Sequence, residues 1–245
     1  MTPERPEAVL LDLDDTLFDH RRSARGAVEA IRQVEPALAA TPLDDVLHAN
    51  REVLEEIHLR VLAGEIDVDE AREERMFRLL ERFRGGATRE DAVRLASHYR
   101  EAYQAVREVV PGSHALLEEL RRRNYRLAVV TNNMTAEQEE KMRTLRLSSL
   151  VDELVVSEAV GVSKPEPGIF RIALEWLGVR PECAVMVGDS WVSDIAGAAR
   201  AQVAAVWYNP LHAAIPDPSL PLAAEIHALE PTTQVADTIQ RALGR

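Results

Sequence analysis

Several residue types are scarce in this chain of 245 residues. Cys183 is the single cysteine, which excludes an internal disulfide framework and a cysteine-based zinc site and favours a reducing compartment. No apolar run approaches the length of a membrane span, and the first residues lack the basic and then apolar order of a signal peptide. We therefore expect a cytoplasmic protein that does not act in or on a membrane.

Positive charge is also scarce. The 29 basic residues face 41 acidic ones, which gives a net charge of −12 at pH 7. Nucleic-acid polymers and anionic membranes are therefore not expected as partners, and an anionic substrate would need local cations or a metal ion. Only Lys141 and Lys164 are lysines among these basic residues, so the retention of each calls for a chemical reason.

The apolar content of 46% is enough for a sizeable core, in one large domain or in one domain with an insert. Short apolar runs alternate with amphipathic stretches of helical length. The runs predict strands at 8–11, 127–130, 154–156, 184–187 and 203–208, and the stretches predict helices at 113–124, 135–147, 167–177 and 193–201. This alternation predicts an α/β fold with a doubly wound parallel sheet.

The stretch 18–108 interrupts that alternation. It has no strand-like run, and apolar residues such as Leu54, Ile57 and Val61 recur at helical spacing. We therefore predict an all-helical domain at 18–108, inserted into an α/β core that comprises 1–17 and 109–245.

Polar side chains follow the predicted strands at the point where each strand ends. They are Asp12 and Asp14 after the first strand, Thr131, Asn132 and Asn133 after the second, and Asp189 with Asp194 after the fourth. Lys164 precedes Pro165 and a predicted helix. Because ligands of open α/β sheets gather beyond the carboxyl ends of the strands, we expect a site there.

Carboxylates brought together in this way repel one another unless a cation holds them. Oxygen ligands without a histidine or cysteine partner favour Mg²⁺, which also recruits phosphate oxygens. One aspartate could then attack phosphorus, and a second aspartate two residues later could act as the acid and base. Lys164 and the Thr131 hydroxyl would bind the phosphoryl oxygens.

Four motifs occur in a fixed order: Asp-Leu-Asp-Asp-Thr, a strand-end Thr, Lys-Pro, and Gly-Asp followed by Asp five residues later. They resemble the motifs of the haloacid dehalogenase superfamily. The resemblance implies a Mg²⁺-dependent phosphatase for a small phosphomonoester, with Asp12 as nucleophile and metal ligand. It assigns Asp14 the acid/base role and gives its backbone carbonyl to the metal.

The same resemblance assigns roles to the remaining strand-end residues. Thr131 and Lys164 would be catalytic phosphate-binding residues, and Asn132 and Asn133 would bind phosphate as well. Asp189 would be a further metal ligand. Asp194 would bind the metal directly or through water, and would support Lys164.

The position of the helical insert resembles the small helical cap of family members that act on small substrates. Within it, Leu62-x-Gly64-x-Ile66 followed by Arg75 is similar to the cap of nucleotidase-like members. This similarity implies that Arg75 contacts substrate and that the substrate is a nucleoside 5′-monophosphate. A sugar phosphate or a sialic-acid phosphate is the alternative.

Other functions use related residues. Dehalogenases of the superfamily lack the second aspartate, which is present here as Asp14, whereas a phosphomutase stays open. A receiver-like signalling protein also places Asp, Thr and Lys around Mg²⁺, but its phosphorylated Asp follows the third strand. A helical insert of this length would also be unexplained there. The oligomeric state, monomer or dimer, is left open.

Overall fold

The computed structural model describes residues 7–62 and 64–244, with the exception of the side chain of Leu62. The first six residues, where no signal peptide is expected, lie outside this range, as does the Leu62 side chain of the cap motif.

The strands of the described residues form one parallel sheet in the order β3-β2-β1-β4-β5-β6. They are β1 (Ala8–Leu11), β2 (Arg126–Thr131), β3 (Glu153–Val156), β4 (Ala184–Gly188), β5 (Ala204–Tyr208) and β6 (Ala224–Ile226). The chain runs outward from β1 in one direction to β3 and in the other to β6, which confirms the predicted doubly wound sheet. The switch point lies between β1 and β4, where Leu11, the last residue of β1, pairs with Val187 of β4.

All four residues of β1 are fully buried, as expected for a central strand that is covered on both faces. One face packs with Ile169, Phe170 and Ala173 in an apolar core. Packing against this core determines where each strand ends along the sheet, and therefore where the polar residues that follow the strands lie.

The helices are α1 (His20–Val34), α2 (Pro36–Ala40), α3 (Leu43–Leu62), α4 (Val68–Arg84), α5 (Arg89–Ala105), α6 (Ser113–Arg122), α7 (Thr135–Thr144), α8 (Ser157–Val160), α9 (Pro167–Leu177), α10 (Ala196–Arg200) and α11 (Thr232–Ala242). The predicted helix at 193–201 is wrong in its start: a π-helical turn, Trp191–Ile195, precedes α10. The sequence analysis did not predict β6 or α11.

The chain divides into two compact units. One comprises Met1–Asp19 and Val109–Arg245 and contains the sheet; the other is His20–Glu108 and contains α1 to α5. The helical unit has its own apolar core, which includes Ile31, Leu79 and Leu95. Among the residues that the structure describes, no helix is both long enough and apolar enough to cross a membrane.

Candidate active site

The chain turns sharply after β1, and this turn positions Asp12 and Asp14. The backbone N–H of Asp12 donates to the carbonyl of Val187 at 3.0 Å, which extends the pairing with β4 by one residue. Asp15 then adopts a left-handed conformation with φ +64°, which short polar residues tolerate. Its N–H donates to the carbonyl of Phe18 at 2.7 Å and closes the turn.

Lys164 is buried among the carboxylates at the strand ends. Its Nζ donates to Asp12 Oδ1 at 2.6 Å, to Asp194 Oδ1 at 2.7 Å and to the carbonyl of Val130 at 2.7 Å. Burial alone would lower the pKa of this lysine, but the adjacent Asp12 and Asp194 outweigh it and raise the pKa. Lys164 is therefore a permanent ammonium that is only 5% exposed, so it is not an ordinary surface cation.

Asp12 combines burial with strong contacts. Its Oδ2 accepts a hydrogen bond from Thr16 Oγ1 at 3.1 Å, on the side away from Lys164. Burial, together with the negative charge of the nearby Asp194, raises the pKa of Asp12 to about 7 against the lowering effect of Lys164. A second cation at this position would therefore favour the ionised carboxylate.

Asp189 and Asp194 complete an acidic group with Asp12. One carboxylate oxygen from each lies within 4.8 Å of the other two. Asp194 lies in the π-helical turn, where its Oδ2 accepts from the backbone N–H of Ser190 at 2.9 Å. A Cβ built on Gly188 would overlap the Asp194 carboxylate, so only glycine leaves room for Asp194 at the end of β4.

The carboxylate of Asp14 is not a member of this acidic group. Instead, its Oδ1 accepts from Lys141 Nζ at 2.6 Å, and its Oδ2 accepts from Gln138 Nε2 at 3.0 Å. Both partners belong to α7. Gln138 Nε2 also donates to Thr131 Oγ1 at 2.7 Å, so α7 connects the acid/base candidate with the phosphate-binding candidate.

The two asparagines after β2 hold the surrounding loops. Asn132 donates from Nδ2 to the carbonyl of Lys164 and accepts at Oδ1 from its N–H, both at 2.7 Å. Asn133 Oδ1 accepts from the N–H of Met134 at 2.8 Å. Asn132 thus fixes the backbone of Lys164, and phosphate binding by either asparagine stays a prediction.

Arg75 belongs to the helical unit, where its guanidinium carbon lies 4.3 Å from the centre of the Tyr99 ring. The phenol of Tyr99 accepts a long hydrogen bond of 3.5 Å from Asn50 Nδ2. A cation–π contact of this kind holds the guanidinium without neutralising its charge. Substrate contact by Arg75 stays a prediction.

Three residues of the site had no assigned role in the sequence analysis: Thr16, Gln138 and Lys141. Thr16 Oγ1 donates to Asp12 and accepts from the backbone N–H of Asp189 at 3.2 Å, so it links the ends of β1 and β4. The scarcity of lysine pointed to Lys141, which is 2% exposed. Nothing in the local pattern distinguished Gln138 from an ordinary helix residue.

Comparison with known proteins identifies the family of this chain. Residues 6–202 match the family model of the haloacid dehalogenase-like hydrolases. A glyceraldehyde 3-phosphate phosphatase of Methanothermobacter thermautotrophicus is 30% identical, over 83% of this chain and 85% of the relative. A second one, of Methanopyrus kandleri, is 36% identical over 82% of each chain. A pyrimidine 5′-nucleotidase of Streptococcus pneumoniae is 27% identical, over 83% of this chain and 84% of the relative.

Solved structures show the same fold. The HAD-hydrolase YfnB of Bacillus subtilis superimposes with a TM-score of 0.74, at 23% identity and with 95% of this chain and 99% of that chain covered. A 2-haloacid dehalogenase of Pseudomonas syringae has a TM-score of 0.63 at 30% identity, with 96% and 99% covered. The chain belongs to the haloacid dehalogenase-like hydrolases, and within that family it is a phosphatase.

Proposed function

We propose that this phosphatase hydrolyses a small phosphomonoester with Mg²⁺, through an aspartyl-phosphate formed on Asp12. The observation that carries the proposal is the arrangement of Asp12, Asp189 and Asp194 within 4.8 Å of one another, with Lys164 bonded to two of them. A structural cluster of this kind would be costly, because buried like charges repel. A site that binds a cation and a phosphoryl group uses those charges.

The donor set fits a hard divalent cation. All three side chains of the group offer carboxylate oxygens, and no histidine or cysteine belongs to it. Asp12, Asp189 and the backbone carbonyl of Asp14 would hold Mg²⁺, and Asp194 would do so directly or through water. When bound, the ion would draw electron density from a phosphoryl oxygen and offset the negative charge of the site.

The reaction uses Asp12 and Asp14 in two steps. In the first, an Asp12 carboxylate oxygen forms a bond to phosphorus while the bond to the ester oxygen breaks, and Asp14 gives its proton to that oxygen. In the second, Asp14 takes a proton from water as the water oxygen attacks phosphorus. The bond between Asp12 and phosphorus then breaks, which releases inorganic phosphate and regenerates both aspartates.

Lys164 and Thr131 serve the transferred group. The ammonium of Lys164 already contacts Asp12 Oδ1, so it lies beside the position where phosphorus must arrive. Its charge would stabilise the phosphoryl oxygens in the transition state. The hydroxyl of Thr131, at the carboxyl end of β2, would donate to another of these oxygens.

The substrate is proposed to be a nucleoside 5′-monophosphate, on the similarity of the cap sequence around Gly64 and Arg75 to nucleotidase-like proteins and on the Streptococcus pneumoniae relative. A second candidate is glyceraldehyde 3-phosphate. It is favoured by the two relatives named for that activity, which are 30% and 36% identical over more than four fifths of this chain. Both are small phosphomonoesters that the same core chemistry would cleave.

A substrate panel with and without metal tests this proposal. Phosphate release should be measured with p-nitrophenyl phosphate, nucleoside 5′-monophosphates, glyceraldehyde 3-phosphate and sugar phosphates, in Mg²⁺ and in excess chelator. We expect activity in Mg²⁺ that falls to background in chelator and returns when Mg²⁺ is restored. Full activity in chelator would contradict the metal assignment, and chloride release from 2-chloropropionate without phosphatase activity would contradict the reaction class.

A further inference from the structure

The strongest feature outside the assigned roles is the attachment of Asp14 to one face of α7. Gln138 and Lys141 are three residues apart on this helix, so both side chains point to the same side. Gln138 is fully buried and Lys141 is 2% exposed. Together they hold both oxygens of the Asp14 carboxylate, at 3.0 Å and 2.6 Å.

The occurrence of lysine rather than arginine at position 141 supports a specific role for this residue. The chain has only two lysines among 29 basic residues, and each is buried against one of the two aspartates in Asp12-Leu13-Asp14. A compact ammonium can enter such a space, whereas the planar arginine fork cannot replace it. A buried ion pair adds little net stability, because desolvation offsets the attraction. Stability alone therefore does not explain Lys141.

Gln138 makes an unusual pair of contacts. Its Nε2 donates to both Asp14 Oδ2 and Thr131 Oγ1, while its Oε1 is buried and accepts no hydrogen bond from the described residues. In this orientation the amide nitrogen of Gln138 donates to Asp14, which accepts in its ionised form. Since Thr131 Oγ1 accepts from Gln138, the hydroxyl proton of Thr131 is directed away from α7.

We propose that Lys141 and Gln138 are positioning residues for the phosphatase reaction, with divided tasks. Lys141, whose Nζ also lies 5.1 Å from the centre of the Phe18 ring, acts through Asp14, and so affects proton transfer to the leaving group. Gln138 acts through Asp14 and through Thr131, and so affects phosphate binding as well. This inference rests on the proposed function and adds two residues that act without touching the phosphoryl group.

The first test compares two esters. kcat and KM are measured on p-nitrophenyl phosphate, whose leaving group needs little protonation, and on glycerol 3-phosphate, whose alkoxide needs it. We expect Lys141→Met to lower kcat on the alkyl ester about tenfold more than on the aryl ester, with KM unchanged. Arg143→Met, an exposed cation on the same helix, should match the wild type on both. Equal losses on the two esters would overturn the role of Lys141.

A double-mutant cycle shows whether Lys141 acts through Asp14. In an Asp14→Asn background, Lys141→Met should lower kcat on the alkyl ester no further, because the group it positions is already absent. The same tenfold loss in that background would overturn the proposal. Lys141→Gln provides a second variant that keeps a polar side chain without the charge, and far-UV circular dichroism with a thermal melt checks that each variant is folded.

The role of Gln138 has a readout that does not depend on turnover. Calorimetric titration with inorganic phosphate in Mg²⁺ should give a Kd several-fold higher for Gln138→Met than for the wild type, corresponding to one lost hydrogen-bond contact. The Kd of Lys141→Met should be unchanged. Equal weakening in the two variants, or none in Gln138→Met, would overturn the division of tasks.

Asp12→Asn, assayed in parallel, separates this inference from the proposed function. Normal turnover by Asp12→Asn contradicts the aspartyl-phosphate route itself. Loss of turnover there, combined with equal ester losses in Lys141→Met, overturns only the positioning role.

Discussion

Asp12 and Asp14 are separated by one residue, but their surroundings give them different chemical properties. Asp12 is buried beside Lys164, Asp194 and Thr16, where its carboxylate has a fixed direction. Asp14 is partly exposed and bonded to α7. A fixed carboxylate suits a nucleophile, and a carboxyl group that reaches solvent suits a group that must exchange protons.

The proposed acid/base role of Asp14 predicts that the effect of a substitution depends on the leaving group. Asp14→Asn keeps the shape of the side chain but cannot transfer a proton. We expect kcat/KM on an alkyl phosphate to fall by about 10² to 10⁴, the usual contribution of a general acid, and much less on p-nitrophenyl phosphate. Steady-state kinetics on the two esters checks this, and an equal loss on both would remove Asp14 from the proton-transfer role.

Gly188 carries a second prediction at this scale. Gly188→Ala would place a methyl group where the Asp194 carboxylate lies, so Asp194 and its contact with Lys164 must shift. We expect a loss of stability of about 1–3 kcal/mol, as for other overpacked sites, and loss of most phosphatase activity. Urea unfolding and the p-nitrophenyl phosphate assay measure both. Gly86→Ala, where the added atom meets open space, is the matched control.

The strand-end aspartates and Thr131 could be located from the sequence, because parallel strands bring their carboxyl ends to one edge. Lys164 could be located from the scarcity of lysine and from the Lys-Pro motif. Thr16 and Gln138 could not be assigned in this way. Their roles depend on contacts that cross from one strand end to another or from a helix to a strand end. Such contacts follow from the packing of the whole core rather than from local spacing.

At the scale of elements, the strands that are buried on both faces were the most predictable. The apolar runs at β1, β2, β4 and β5 agree with the structure to within one residue at each end. The strand β6 has only three residues at the edge of the sheet, too few for a pattern to establish. In α11, however, Val235, Ala236 and Ile239 face the core at helical spacing, and this pattern was available in the sequence.

The π-helical turn that contains Asp194 shows a different limit of prediction from sequence. Within it, the N–H of Ile195 donates to the carbonyl of Ser190 at 3.2 Å, and these two residues are five positions apart in the chain. Ser190 Oγ accepts from the N–H of Ser193 at 3.1 Å and caps the turn. Helical periodicity does not distinguish this widened turn from an α-helix, and π-turns often occur at functional sites.

Helix α4 of the helical unit provides a prediction about capping. Asp67 accepts a hydrogen bond from the N–H of Glu70 at 2.8 Å at the start of this helix. Asp67→Ala should lower the unfolding free energy of the helical unit by about 1 kcal/mol. Asp67→Asn should retain most of it, because asparagine is an equally good cap. Urea unfolding followed by circular dichroism measures both, and equal losses in the two variants would assign the effect to charge rather than to capping.

At the scale of the molecule, the chain divides into two compact units, and the proposed catalytic residues belong to the unit that contains the sheet. The family resemblance implies that the helical unit selects the substrate, and Arg75 is the residue through which we test this proposal. In the helical unit most arginines form ion pairs, whereas Arg75 has its described contact with the Tyr99 ring. A guanidinium that is held by an aromatic ring keeps its positive charge, and so is suited to bind a polar or anionic leaving group.

Arg75→Ala should therefore change the relative kcat/KM among nucleoside 5′-monophosphates, glyceraldehyde 3-phosphate and sugar phosphates, and leave p-nitrophenyl phosphate nearly unchanged. Arg89→Ala, which removes an exposed arginine of the same unit, should change none of them. A uniform loss on every substrate in Arg75→Ala would instead assign this residue to the stability of the helical unit.

The central claim is that Asp12 forms a covalent bond to phosphorus, and trapping that intermediate tests it most directly. The protein is mixed with excess p-nitrophenyl phosphate in Mg²⁺, quenched in acid during turnover, digested and analysed by mass spectrometry. We predict a phosphoryl group on Asp12 that hydroxylamine removes, absent from Asp12→Asn, which should also have lost its turnover. Turnover by a folded Asp12→Asn at the wild-type rate, or phosphate carried on another residue, would contradict the account.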